Sequence, residues 1–231
     1  MKKSLIAEIV TWVFVGLFAI VALGYGVSHG FGFDIFKKSS IDEANVDKKY
    51  SEEYTQPVDE ISNININWKA GNVTLTYYDG DSIKITESCA SELNSDTKLS
   101  IAEDDEDLTI SWNDSEKLYY KKTIPTLTQK DLTVEIPNSM KLGTVKFNVN
   151  DSSVTTYGYT AESLSVDTKS DVNIQNVTAD DITISGTSGQ IYVYQCEADS
   201  LKANSQSGNI TVSECDIEEN SLKSIYGSVE Q

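Results

Sequence analysis

From residue 141 onward, apolar side chains fall on alternate positions in short runs, and the runs recur at a nearly constant step of about 18–19 residues. "SGQIYVYQC" (188–196) is answered by "SGNITVSEC" (207–215), which separates Ile191 from Ile210 and Cys196 from Cys215 by one and the same interval. Aligning the chain on these positions produces a column of Val154, Val172, Ile191, Ile210 and Val229, in which only the first step is shorter than the others, by a single residue. Three more columns follow nearly the same step: Thr156, Ile174, Val193, Val212; then Val145, Leu164, Ile182, Leu201; then Phe147, Val166, Ile184, Ala203. Within each run the period of two marks a half-buried strand of roughly 4–6 residues. A unit of this length with two such strands and Gly/Ser/Asn/Asp corners predicts stacked coils. One coil cannot cover its own apolar face, whereas a second coil about 4.8 Å above it pairs the backbones and sets like residues on like. Gly189 and Gly208 mark corners where a left-handed backbone or a close approach is expected; Gly71 is an earlier corner of this kind, and Gly227 opens another.

Upstream, "INININW", "NVTLTYY", "SIKITES", "KLSIAE", "DLTISW" and "DLTVEIP" read as strands, with turns at "YDGDS" and "EDDED". Residues 57–140 are therefore expected to be an N-terminal β-strand part and 141–231 the regular coils. The fold class expected is all-β: a β-solenoid with coils of about 18–19 residues and the general right-handed preference, preceded by a single N-terminal transmembrane helix.

The N-terminus follows a different pattern. Segment 9–27, "IVTWVFVGLFAIVALGYGV", carries no charge, and its length is close to the roughly 20 residues needed to cross a bilayer. Trp12 and Tyr25 stand near the two ends, where interfacial aromatics belong. A cleaved signal peptide is the competing reading, but the apolar run exceeds the usual h-region of roughly 7–15 residues and Ala22-Leu23-Gly24 is a poor cleavage site. Lys2 and Lys3 favour a cytoplasmic segment over 1–8, while Lys37 and Lys38 weaken that bias. The expectation is an anchor over 9–27, a charged stalk over 28–56, and a solenoid outside the cytoplasm, in the cell membrane as a single-pass protein.

Composition narrows the partners. In 231 residues, 18 Lys and no Arg stand against 36 Asp and Glu, a net charge of −18. Such a chain repels phosphate backbones, so nucleic acid is not an expected partner; without Arg it also lacks the bidentate fork that grips phosphate and carboxylate. The partner expected instead is a cell-surface or cell-wall ligand, with contact to the membrane through the N-terminal helix. The coil beginning at Gly227 has no evident cap, which leaves self-association through the C-terminal coil as a further expectation.

Candidate residues divide into core and surface. Tyr159, Val177, Cys196 and Cys215 each follow a column residue at the same offset, so the position takes apolar groups and the cysteines read as buried thiols. A disulfide or a metal ladder is the alternative, but directly stacked residues have parallel Cβ vectors that suit a disulfide poorly. With Cys89 the count of three is odd. Tyr157, Tyr192 and Tyr194 alternate with inward residues and so face outward. Exposed rings among Asn, Gln and Thr suit a sugar-binding face, and they equally suit an ordinary outer strand. The acidic run Glu103–Asp107 lacks the spaced calcium-loop pattern and reads as a solvated turn.

Catalytic signals are sparse. The chain has no GxSxG, no HExxH and no phosphate loop, and its single His29 lies beside the apolar segment. No catalytic residue, cofactor or metal is expected. Two other readings stay open: a polymerising membrane scaffold similar to the bactofilins, with a cytoplasmic solenoid, and a polysaccharide-active β-helix enzyme working with a carboxylate pair.

From about residue 55 to 231, "ISNININWKAGNVTLTYYDGDSIKI", "EDLTISW", "DLTVEIPNSMKLGTVKFNV" and the repeated Gly-x-Ile coils together resemble the adhesin-like DUF4097 family of bacterial β-strand repeat proteins. The resemblance implies a β-solenoid, often tethered by one N-terminal helix at the bacterial surface, and no enzyme activity. It supplies no catalytic residues to carry over.

Overall fold

Asn63-Ile64-Asn65-Ile66-Asn67-Trp68 alternates polar and apolar side chains, which favours an extended backbone with the isoleucines and the tryptophan on one side. In the computed structural model these residues begin a strand of 16 residues, and Ile64, Ile66 and Trp68 are buried. The structure describes residues 50–58, 60–90, 92–93, 95–113 and 129–231. The expected membrane helix over 9–27, and the stalk up to residue 49, lie outside the described residues. Among the described residues no helix is long and apolar enough to cross a membrane.

The chain is all-β. Its strands are β1 (Tyr50–Pro57), β2 (Asn63–Tyr78), β3 (Ser82–Cys89), β4 (Ser100–Asp104), β5 (Asp107–Ser111), β6 (Lys130–Pro137), β7 (Leu142–Tyr157), β8 (Thr160–Thr168), β9 (Val172–Gln175), β10 (Thr178–Gly186), β11 (Ile191–Tyr194), β12 (Glu197–Ser205), β13 (Ile210–Ser213), β14 (Asp216–Ser224) and β15 (Val229–Glu230). They form two parallel ladders. In the first, β5, the front half of β2, the front half of β7, β8, β10, β12 and β14 pair in that order. The second runs through β6, the back half of β2, the back half of β7, β9, β11, β13 and β15.

Register reveals why the apolar positions recur. Val73 pairs with Val154, Val154 with Val172, Val172 with Ile191, Ile191 with Ile210 and Ile210 with Val229. In the other ladder Ile64 pairs with Val145, Val145 with Leu164, Leu164 with Ile182 and Ile182 with Leu201. All of these except Val229 are buried, and the inward side chains of both ladders belong to one hydrophobic cluster. Each such aliphatic residue contributes roughly 1.5–3 kcal/mol through its burial.

The column reaches further back than the regular spacing. Strand β2 lies directly beneath β7, although Ile64 and its partner Val145 are far apart in sequence, and β5 and β6 lie beneath β2 through Leu108 beside Ile64 and Leu132 beside Val73. The segment 57–140 thus contributes two tiers to the same stack. Antiparallel strands finish that end: β4 on β5, β3 on β6, and β1 on β3. Residues 50–56 fall inside the segment read from sequence as stalk (28–56), and together with Pro57 they form the edge strand of this closure. Its residues alternate between half-buried and exposed and none is fully buried, so it lacks the strong apolar alternation that identifies a central strand. Glu52 and Glu53 on such an edge discourage further strand pairing.

A buried ion pair ties this end together. Lys130 Nζ lies 2.6 Å from Glu87 Oε1, with side chains 2% and 0% exposed. The ammonium also donates to Thr97 O at 2.8 Å and sits 4.2 Å from the Trp112 ring centre. Glu87 Oε2 accepts the Leu99 N–H at 3.0 Å, and the Trp68 indole donates to Lys130 O at 2.7 Å. Buried charge is costly unless its hydrogen bonds are met in this way.

Two kinds of corner join the ladders. At the first, Gly189, Gly208 and Gly227 sit one above another, and a Cβ on Gly208 would lie 1.7 Å from Gly189 O. At the second, the left-handed backbone is held by Gly158 (φ 78), Asn176 (φ 56), Gln195 (φ 51) and Glu214 (φ 54). Each of Gly158, Asn176 and Gln195 donates its N–H to the carbonyl one coil above, at Gln175, Tyr194 and Ser213.

These two corners respond differently to substitution. Gly208→Ala forces neighbouring coils apart and should cost about 3 kcal/mol or more in chemical denaturation. At Gly158 a Cβ meets nothing within 4 Å, so Gly158→Ala should cost only the left-handed penalty of about 1–2 kcal/mol. Equal losses would contradict the close approach of coils at Gly208.

Candidate functional site

Every coil has an outer surface on each ladder, and the two surfaces differ in charge. On the second ladder, between its end strands β6 and β15 with their outward Asp131, Glu135 and Glu230, the outward positions are Thr74 and Thr76 on β2, Thr155 and Tyr157 on β7, Asn173 and Gln175 on β9, Tyr192 and Tyr194 on β11, and Thr211 and Ser213 on β13. None carries a charge, in a chain where 23% of residues do. On the first ladder, by contrast, Glu162, Asp180, Asp199 and Glu218 are exposed in one column, with Asp181, Glu197, Asp216 and Glu219 around them. Like charges one strand apart repel, an effect that salt screens. Among the described residues no group of three or more His, Cys, Asp or Glu is placed to hold a metal ion.

The three tyrosines occupy the uncharged surface. Tyr157 pairs with Gln175 and Gln175 with Tyr194, so two rings flank one amide along a column. Tyr157 is 51% exposed. Tyr192 and Tyr194 lie on one strand with ring centres 5.9 Å apart and planes 17° apart, a stacked pair. Tyr194 donates its hydroxyl to Glu214 Oε2 at 2.9 Å, and that hydrogen bond raises the phenol above its ordinary range. Gln195 Nε2 donates to the same oxygen at 2.9 Å. Beneath Tyr192, Gln175 Nε2 donates to Asn173 Oδ1 at 2.9 Å.

The sequence signals for Asn173 and Glu214 were weak, since polar residues on an outer strand or at a corner are ordinary. Glu214 acquires its place from the left-handed turn, which Gly158 and Asn176 favour by residue type but Gln195 and Glu214 in the same column do not.

Tyr159, Val177, Cys196 and Cys215 stand at the start of successive outgoing strands, as successive coils place them. No disulfide joins the three cysteines. Cys196 is buried and Cys215 partly so, and Cys89 is buried at the end of β3. The thiols donate to backbone oxygens, Cys196 Sγ to Tyr194 O at 3.3 Å and Cys215 Sγ to Ser213 O at 3.2 Å, while the Cys196 N–H donates to Cys215 Sγ at 3.4 Å. Burial pushes the Cys196 thiol from an ordinary 9.0 up to about 11, which makes it a poor nucleophile at neutral pH.

Because the folded chain holds this proton more tightly than the unfolded chain, the contribution is complete below pH 9 and declines as pH rises toward 11. Buried Tyr159, also raised by desolvation, acts in the same sense. Val177 occupies the equivalent position one coil below, so Cys196→Val should fit. The variant should lose less stability between pH 8 and pH 11 than the parent, by roughly 1–3 kcal/mol, as read from denaturation midpoints. Parallel pH curves would contradict a protonated, buried thiol.

Residues 61–230 match the family model described as Toastrack DUF4097. Similar solved structures include a candidate adhesin from Bacteroides fragilis, with 15% identity, a TM-score of 0.33, and coverage of 79% of this chain and 97% of that one. A candidate cell adhesion protein from Clostridium sporogenes shares 10% identity over 78% of this chain and 98% of its own, with a TM-score of 0.35. A candidate adhesin from Parabacteroides merdae shares 13% identity over 79% and 96%, with a TM-score of 0.28. Among curated proteins none matches the chain. The family match extends over residues 61–230, nearly three quarters of the 231-residue chain and both ladders of the stack, and the chain belongs to the Toastrack DUF4097 family.

Proposed function

We propose that this chain is a single-pass, membrane-anchored protein of the bacterial envelope whose β-solenoid lies outside the cytoplasm and serves a binding, adhesion-like or surface-display role without catalysis. The observation that carries the reading is the uncharged outer surface of the second ladder, uninterrupted from Thr74 to Ser213 on a chain of net charge −18. An outer strand surface with aromatic and amide groups and no charge suits recognition. The corners between ladders are short, and the residues joining β10 to β11 or β12 to β13 build no enclosing groove. The uncharged stretch 9–27 with Lys2 and Lys3 before it supports the anchor and its orientation. The family resemblance supports a surface role.

Self-association through the last coil is a second reading, favoured by one observation. Ile225, Tyr226 and Val229 are 59%, 79% and 43% exposed there. Asp216, Glu218 and Glu219 lie on the same edge strand, so two copies meeting at this edge bring like charges together. A cytoplasmic scaffold of this kind and an extracytoplasmic binder place the solenoid on opposite sides of the membrane.

A membrane-impermeant amine reagent decides between them. Lys141, Lys146, Lys169 and Lys202 are exposed, whereas Cys89 is buried and unsuited to a thiol label. In intact cells producing the full chain, these lysines should be modified as fully as after lysis. Protection until lysis would place the solenoid in the cytoplasm and overturn the reading.

A further inference from the structure

The uncharged surface has a definite layout. Tyr157 and Tyr194 stand in one column with Gln175 between them, so their backbones are two strand spacings, about 9.6 Å, apart. The slot is the stretch of outer strand between these two outward rings, with one amide in its middle. Gln175 Nε2 is committed to Asn173 Oδ1, and the Gln175 oxygen and the Asn173 amide hydrogens have no protein partner among the described residues. An amide oxygen accepts and an amide NH₂ donates, so the slot offers both halves of the hydrogen bonding that a hydroxyl requires. The aromatic rings at its ends offer apolar contact. Tyr192 widens the aromatic end by stacking on Tyr194. Glu214, the carboxylate beside this end, is already occupied by the Tyr194 hydroxyl and the Gln195 amide.

Charge selects among occupants. No cation lies on these outward positions to hold an anionic polymer, and the chain's net charge of −18 repels one. A cationic polymer would be drawn to the carboxylate column of Glu162, Asp180, Asp199 and Glu218 on the other ladder. We infer that the slot between Tyr157 and Tyr194 over Gln175 binds a neutral glycan, laid along the stack so that sugar faces meet the rings and hydroxyls meet the Gln175–Asn173 amides. The inference rests on the binding role proposed above and names the ligand class for it. The strand spacing sets the interval between rings, so the slot favours a chain of several sugars over a monosaccharide.

The test uses the full chain in detergent micelles, titrated calorimetrically with cellohexaose, chitohexaose and mannohexaose, and with polygalacturonate as the anionic comparison. At least one neutral hexasaccharide should bind, more tightly than polygalacturonate. Tyr157→Ala and Tyr194→Ala should each weaken that binding at least tenfold with an unchanged melting temperature, while Tyr194→Phe, which keeps the ring, stays within threefold of the parent. Gln175→Ala, which leaves both rings, should weaken it several-fold and serves if an alanine at a tyrosine disturbs folding. Absence of binding to all three neutral probes, a preference for polygalacturonate, or affinity indifferent to both tyrosine-to-alanine changes overturns the inference. Retention of the full chain on isolated cell walls separates this failure from that of the broader reading. Walls that hold the chain while the hexasaccharides do not, or that release it once stripped with protease, leave surface binding intact and remove the glycan; walls that never hold it remove both.

Discussion

Parallel, in-register stacking of one coil on the next is the constraint on which the rest of this structure depends. A strand spacing of about 4.8 Å leaves no freedom in what sits above what: the residue over Val172 is Ile191 and the residue over Ile191 is Ile210. Inside the stack this favours matched apolar groups, with small hydroxyl residues such as Thr156 and Thr168 admitted among them, because a polar group without a partner there loses water for nothing. At the corner of Gly189, Gly208 and Gly227 it requires the absence of a side chain, since the carbonyl below occupies the place of a Cβ. On the outer surfaces the same registration multiplies whatever is placed there. One carboxylate per coil becomes the acidic column from Glu162 to Glu218, and one uncharged residue per coil becomes the surface that carries Tyr157, Gln175 and Tyr194.

Where this constraint acts directly, the sequence is readable. Like residues at a fixed step are what stacking imposes, and the Ile191–Ile210 echo exposes it directly in the sequence. Gly208 could be seen as a corner, although the sequence left open whether a left-handed backbone or a close approach required it; the close approach is the reason. The left-handed backbone lies at the other corner, where Asn176, Gln195 and Glu214 hold positive φ. The hydrogen bonds that Asn176 and Gln195 make to the coil above sustain that conformation, and side chains as different as Asn, Gln and Glu carry no common mark of it.

Readability failed where neighbours in space are far apart in sequence. Ile64 lies against Val145 and Leu108, but the chain from Ile64 to Val145 departs to build β3, β4, β5 and β6, so no fixed step connects these tiers. Likewise Tyr50–Pro57 is a strand because β3 offers it an edge, and its Glu52 and Glu53 resemble the charged stretch before it. The buried Lys130–Glu87 pair was equally hidden, since single charged residues within strand sequences give no indication that they meet inside the core. For the candidate surface, alternation identified Tyr157, Tyr192 and Tyr194 as outward, while the Gln175–Asn173 link and the capture of Glu214 by Tyr194 depend on side-chain geometry that alternation does not encode.

The functional account therefore requires first that the columns exist and that the strand period assigns inside and outside. Adjacent residues of β11 test both at once, because Ile191 faces the core and Tyr192 faces solvent. The direct measurement is thermal unfolding, followed by near-ultraviolet circular dichroism, of Ile191→Asp beside Tyr192→Asp. The account predicts that Tyr192→Asp melts cooperatively close to the parent, whereas Ile191→Asp loses its near-ultraviolet signal and its transition. An Ile191→Asp variant that melts like the parent would contradict the stacked core and the surfaces derived from it.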